Sequence, residues 1–235
     1  DVSSSVMRTI VNIHTATGVD GLKTNGTQVL ATQTGFNYWY VKDGKITSSA
    51  AYNQILEPDN NVEPFSEFTE VKNGNDNWNN GRTYMYSGTA LFQAQEGDGL
   101  QHKLSVCNDN RYVYYQFAQL LQKADMVMSS NYIFGLAGAS HVIGFIPTNE
   151  AISTAIAAGQ IPGMDATGAV TSSSKLRQYL LSYFIRDREN ALISYPYPGS
   201  AMKSSTYVTA SGKSLTYTDS GSSLSIMVDG KVANV

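Results

Sequence analysis

A single cysteine, Cys107, occurs in 235 residues, so the chain has no internal disulfide framework and no Cys-x-x-Cys metal or redox motif. That thiol is expected to be an inert packing residue. Charge is sparse as well: 15% of residues are Asp, Glu, Lys or Arg, and the net charge is −3. Without a basic block, a nucleic-acid partner has no electrostatic footing. No apolar run approaches the roughly 18–20 residues of a membrane span. The three histidines, His14, His102 and His141, fall on separate elements without metal-ligand spacing. No Met and no apolar leader precede Asp1, so any signal peptide is expected to lie outside this segment.

What remains is a chain that is 42% hydrophobic, enough for a core, under a coat rich in Ser, Thr, Asn and Tyr. A neutral hydrogen-bonding coat of this kind suits exported β-rich proteins. Length alone allows one or two domains.

One pattern is written twice, 170 residues apart. Val6, Met7, Ile10, Val11, Ile13 and His14 form an amphipathic helical stripe, and Leu176, Leu180, Leu181, Tyr183 and Phe184 form another, with Phe184 in register with His14. A strand-like stretch after each ends in the same tripeptide, Asp43-Gly44-Lys45 and Asp229-Gly230-Lys231. A fixed internal repeat signals related modules, and both copies are expected to share backbone conformation and buried face.

Residues 6–14 read as a helix end that Gly18 helps to close. Phe36 to Val41 alternates as an aromatic strand, turns at Asp43-Gly44 and returns at Lys45-Ile46-Thr47. Residues 71–81 read as a polar loop and 82–86 as a short strand. The stretch 93–110, with Gly97-Asp98-Gly99 and Asn108-Asp109-Asn110, has linker composition. Beyond it, Phe117, Leu120, Leu121 and Ala124 recur at helical spacing. His141 to Ile146 is an apolar run of strand length that Pro147 stops, and Thr148 or Asn149 can cap the helix that follows. Residues 174–185 are the repeated helix. Strands are expected at 206–210, 214–218 and 224–228. Between them, 186–201 contains Tyr195-Pro196-Tyr197-Pro198-Gly199, expected to be an exposed contact loop.

Chemistry is thinly represented. Gly212-Lys213-Ser214 lacks the first glycine of a phosphate loop, where Tyr207 stands, and Gly138-Ala139-Ser140-His141 lacks the second glycine of a nucleophile elbow. Asp59, Glu63 and Asp76 match no ion-binding loop and read as a solvated acidic surface. Tyr38, Trp39, Tyr40 and Trp78 read either as a sugar-stacking platform or as core aromatics.

The residues resemble the fasciclin-type adhesion module. Phe145-Ile146-Pro147-Thr148-Asn149-Glu150-Ala151 is similar to that family's strand followed by a Pro-Thr-Asn/Asp-Glu-Ala helix start. Phe117 to Ala124 resembles its first helix, Leu176 to Phe184 the helix ending in a Tyr-His pair, and Leu215 to Val235 its paired strands. Val6 to His14 resembles the Tyr-His helix again, and Asn80-Gly81-Arg82-Thr83-Tyr84-Met85-Tyr86 its closing strand. The pair associated with integrin recognition stands here as Ile13-His14 and Tyr183-Phe184, complete in neither copy.

The resemblance implies an α+β fold of fasciclin-like modules, a β-sheet wedge with packed helices. Residues 1–95 are then the back half of a first module, 96–111 a linker, and 112–235 a second module lacking its closing strand. The segment reads as a window on a longer tandem protein. The implied role is non-enzymatic adhesion at the cell surface or outside the cell, with a surface protein or glycan as partner and no cofactor or metal. The alternative readings are a glycan-binding surface protein, or a hydrolytic enzyme on an unusual scaffold. Candidate contact residues are Tyr195, Tyr197, Trp39, Trp78 and His14.

Overall fold

The computed structural model describes residues 3–17, 21–33, 38–48, 65–74, 78–88, 100–129, 132–136, 141–187 and 204–234. The chain divides into two compact units, Asp1–Asp98 and Gly99–Val235. Each combines helix with antiparallel sheet, so the fold class is α+β.

In the first unit, helix α1 (Ser4–Ile13) begins where extended Ser3 accepts a hydrogen bond at Oγ from the Val6 amide. Five strands follow: β1 (Thr27–Ala31), β2 (Tyr38–Lys42), β3 (Lys45–Ser48), β4 (Ser66–Val71) and β5 (Thr83–Tyr86). They form one antiparallel sheet in chain order. Its core is Val41 and Ile46, packed by Leu22, Trp39, Phe68 and Tyr86.

The second unit opens with α2 (Leu100–Val106), inside the stretch expected to be a linker. Leu104 and Cys107 are buried in the main core, and α2 packs on α3 (Tyr115–Lys123). Polar composition hid a short helix with one apolar anchor per turn. Strand β6 (His141–Gly144) leads past Pro147 into α4 (Asn149–Ala157), as the proline and the apolar run require. Next come α5 (Ser173–Leu181) and β7 (Phe184–Asp187), which pairs with β6. The repeated helix therefore ends four residues before 185, and the expected loop at 186–201 begins as strand. Burial explains this, because Phe184 joins the helical core while Ile185, on the opposite face of the strand, joins the sheet core. The unit closes with β8 (Ser205–Val208), β9 (Ser214–Asp219), β10 (Leu224–Val228) and β11 (Lys231–Asn234), ordered β11-β10-β9-β8. Gly212-Lys213-Ser214 is the β8–β9 hairpin, with Gly212 at φ +85°.

Side chains from other elements cap both ends of α3. Thr148 Oγ1 caps its own helix α4, accepting from Ala151 N, while Asn149 Oδ1 accepts from Gln116 N at 2.8 Å. Asn149 Nδ2 donates to Tyr112 O at 2.7 Å, and Arg177 Nε donates to Ala124 O at 2.7 Å past the other end. Thr148→Ala should therefore cost about 1 kcal/mol. Asn149→Ala, which strands the Gln116 amide and takes from Tyr112 O one of its two donors (the Tyr115 amide remains), should cost about 2 kcal/mol. Urea denaturation of both variants checks the order, and equal losses would refute the capping role of Asn149.

The repeat holds in one part and fails in another. Asp43 and Gly44 sit at φ +48° and +78°, and Asp229 and Gly230 at +52° and +76°. Both are two-residue hairpins with two positive φ values, which Asp-Gly supplies at low strain. The helices do not share a buried face. Helix α5 buries Leu176, Leu180 and Leu181, packing on α3, whereas α1 buries Ile13 and leaves Val6, Met7 and Val11 about half exposed. No helix packs on α1 among the described residues of its unit.

Candidate functional site

The side chains of β4 and β5 that share a face are set by their register. Phe68 pairs with Tyr86 and Glu70 with Tyr84, so these four project to the same side of the sheet. Phe68 and Tyr84 meet edge to face, with centroids 5.5 Å apart. Arg82, just before β5, reaches Glu70 across the sheet, Nη1 to Oε1 at 2.8 Å. Lys72 stands 3.9 Å from the other Glu70 oxygen.

Residues 21–24 complete a rim over this patch. Gln28 clamps them, its Nε2 donating to Gly21 O at 3.1 Å and its Oε1 accepting from Lys23 N at 3.0 Å. The Leu22 amide donates to Tyr84 Oη at 3.0 Å. Gly21 is at φ +144°, and a Cβ there would lie 2.8 Å from the Tyr84 hydroxyl, so only glycine lets the rim come this close. The result is an open depression of about 520 Å³, lined by Gly21, Leu22, Phe68, Glu70, Arg82 and Tyr84, among others. An apolar floor beside a half-exposed acid–guanidinium pair can hold a polar ligand by stacking and charge-assisted hydrogen bonds.

His14 is tied inside the first unit. Its Nδ1 lies 2.7 Å from Ile10 O, and a carbonyl only accepts, so Nδ1 carries the proton. In the neutral ring, Nε2 then accepts from the Tyr86 hydroxyl at 2.8 Å, with the rings stacked at 5.9 Å. Burial pushes the Tyr86 hydroxyl above its ordinary pKa. Trp39 is half-buried on the core, its indole N–H donating to Ile13 O at 2.8 Å. Burial also drives the Tyr40 hydroxyl well up, with Tyr38 adding to the effect. Trp39 therefore packs as a core aromatic rather than as part of an exposed platform, and Tyr40 is half-buried. Trp78 is 43% exposed and donates to Val71 O at the end of β4. Tyr195, Tyr197, Asp59, Glu63 and Asp76 lie outside the described residues. Among the described residues no three His, Cys, Asp or Glu side chains gather as a metal site.

The chain matches no protein-family model and no curated protein sequence. No helix among the described residues is long and apolar enough to cross a membrane.

Sequence reading missed the Glu70–Arg82 pair because it missed β4. A signal was present, since Phe68, Thr69 and Val71 favour strand and Asn73-Gly74 follows as a stop. Pairing acid with base further requires the β4–β5 register, which neither segment encodes alone.

Proposed function

We propose that this chain is a non-enzymatic adhesion or binding protein of the cell surface or extracellular space, built from fasciclin-like modules. The observation that carries the reading is the Asp-Gly-Lys hairpin, present once in each unit with matching φ values at the centre of a three-stranded meander. A duplicated scaffold of this kind presents surfaces. A second reading, that the partner is a glycan, draws support from the Glu70–Arg82 pair beside Phe68 and Tyr84, because sugars use one face for stacking and hydroxyls for charged partners.

The test is display of the full chain against a glycan array and against surfaces coated with matrix proteins. Retention on one of these is expected. If the depression is the site, Glu70→Ala with Arg82→Ala should weaken it by about 10–100-fold, the value of hydrogen bonds to charged groups at about 1.5–3 kcal/mol. Unchanged binding by a folded double variant removes the depression from the reading. Retention on neither surface, or turnover of any glycoside by the wild-type chain, overturns the proposal itself.

A further inference from the structure

Hydrogen-bond polarity fixes what the depression of the first unit offers a ligand. Tyr84 Oη accepts from the Leu22 amide at 3.0 Å, which fills one in-plane position of the phenol oxygen. The hydroxyl proton takes the other, so Tyr84 meets a ligand as a donor.

Glu70 is the one acidic side chain of the lining among the described residues, and both of its oxygens already face cations. Oε1 meets the Arg82 guanidinium at 2.8 Å, and Oε2 has the Lys72 ammonium at 3.9 Å. Its acceptor capacity is thus turned toward the protein's own charges. Lys72 is placed differently from Arg82. At 3.9 Å it is too far from Glu70 for a hydrogen bond, and its side chain is 48% exposed. An ammonium so placed keeps its three donors for solvent or for a ligand.

Donors therefore dominate beside the aromatic floor of Phe68 and Tyr84. The chain as a whole carries a net charge of −3, so this donor-rich polarity is local and does not follow from composition. A neutral sugar, whose hydroxyls both donate and accept, would leave these donors only partly satisfied. An anionic group consists of acceptors alone.

We infer that the depression takes an anionic sugar, its ring stacked on Phe68 and its carboxylate or sulfate received by the Tyr84 hydroxyl and the Lys72 ammonium. Charge-assisted hydrogen bonds of this kind are about twice as strong as neutral ones. Glu70 then serves to hold Arg82 and acts on the ligand as a like charge, not as an acceptor for its hydroxyls. This deepens the glycan reading of the depression and rests on it.

The probes are an oligogalacturonate with its methyl ester and a sulfated galactan oligosaccharide with its desulfated form, each titrated into the full chain by calorimetry. Within a pair the sugar and linkage are shared and only the charge differs. At least one acid is expected to bind about tenfold tighter than its neutral partner, and the pair that responds identifies the anionic group. The advantage should shrink toward about 1 M salt, where the screening length falls to about 3 Å. Lys72→Gln should remove most of it and Lys72→Arg should restore it, with the neutral sugar unaffected. Glu70→Gln separates the two roles of that residue. It should tighten the acid about fivefold by removing a like charge, whereas loss of an acceptor for sugar hydroxyls would weaken binding. If Glu70→Gln disturbs the fold by tryptophan fluorescence, the two Lys72 variants decide. Neutral sugars binding as tightly as their acids, or weaker binding by folded Glu70→Gln, would overturn the inference and leave the glycan reading standing. Binding of none of the probes would overturn both.

Discussion

Phe117→Ala should destabilise the second unit by about 3–5 kcal/mol, the range for deleting a fully buried aromatic. Phe117 is 0% exposed and sits centrally in the helical core, its ring 5.3 Å from Tyr183 and 5.9 Å from Phe184. Truncation leaves a cavity at the meeting of α3 and β7 and deletes two ring pairs, each worth about 0.5–1.5 kcal/mol beyond burial. Phe134, 51% exposed beneath the Arg177 guanidinium, supplies the contrast, and its loss should cost about 1 kcal/mol or less. Far-UV circular dichroism against urea reads the second unit, which holds four of the five described helices. Trp39 and Trp78 give a separate fluorescence probe of the first unit. A loss below about 1 kcal/mol at Phe117 would contradict its place in the core.

Gly163→Ala is expected to cost about 2–5 kcal/mol, and for a different reason. Gly163 sits at φ +84°, where an L side chain costs about 1–2 kcal/mol. Its carbonyl accepts from Thr171 N and Ser172 N, which brings the start of α5 directly against it. A Cβ there would overlap Ser172 O and lie 2.7 Å from Leu176 N, both backbone atoms of the start of α5. Overlap with backbone adds about 1–3 kcal/mol, since neither side can yield by changing rotamer. Gly159 separates the two terms: it is at φ +63° with nothing within 4 Å of a built Cβ. Gly159→Ala should therefore cost only about 1 kcal/mol, the φ penalty less what alanine removes from unfolded-chain entropy. The midpoints of the two variants decide, and equal costs would show that the close approach at Gly163 carries no energy.

The candidate site was legible in fragments. Val41 and the Asp43-Gly44 turn announced a hairpin, and Tyr84 and Tyr86 announced a strand. His14 stood out as half of a Tyr-His position, but its role as a bridge from the end of α1 to Tyr86 depends on a partner 72 residues away. Glu70 and Arg82 carried no local mark of pairing. Trp39 invited a sugar platform, yet its neighbours in the fold, Val41 and Ile46, bury it as core.

What the sequence by itself determined were features governed by neighbours in the chain. Pro147 with Thr148 set a strand-to-helix passage, through φ restriction and a local cap. Asp-Gly set two identical hairpins, because few residue pairs accept two positive φ values. Tertiary structure decided what depends on distant partners. Asn149, a plausible cap for its own helix, serves Gln116 instead, since Thr148 already fills the local position. Two similar helical stripes reached opposite fates: α5 found α3 to cover it, while α1 has no helix on it among the described residues of its unit. An apolar stripe records that a face can be buried, but burial is a property of the pair of surfaces, and the second surface lies elsewhere in the chain.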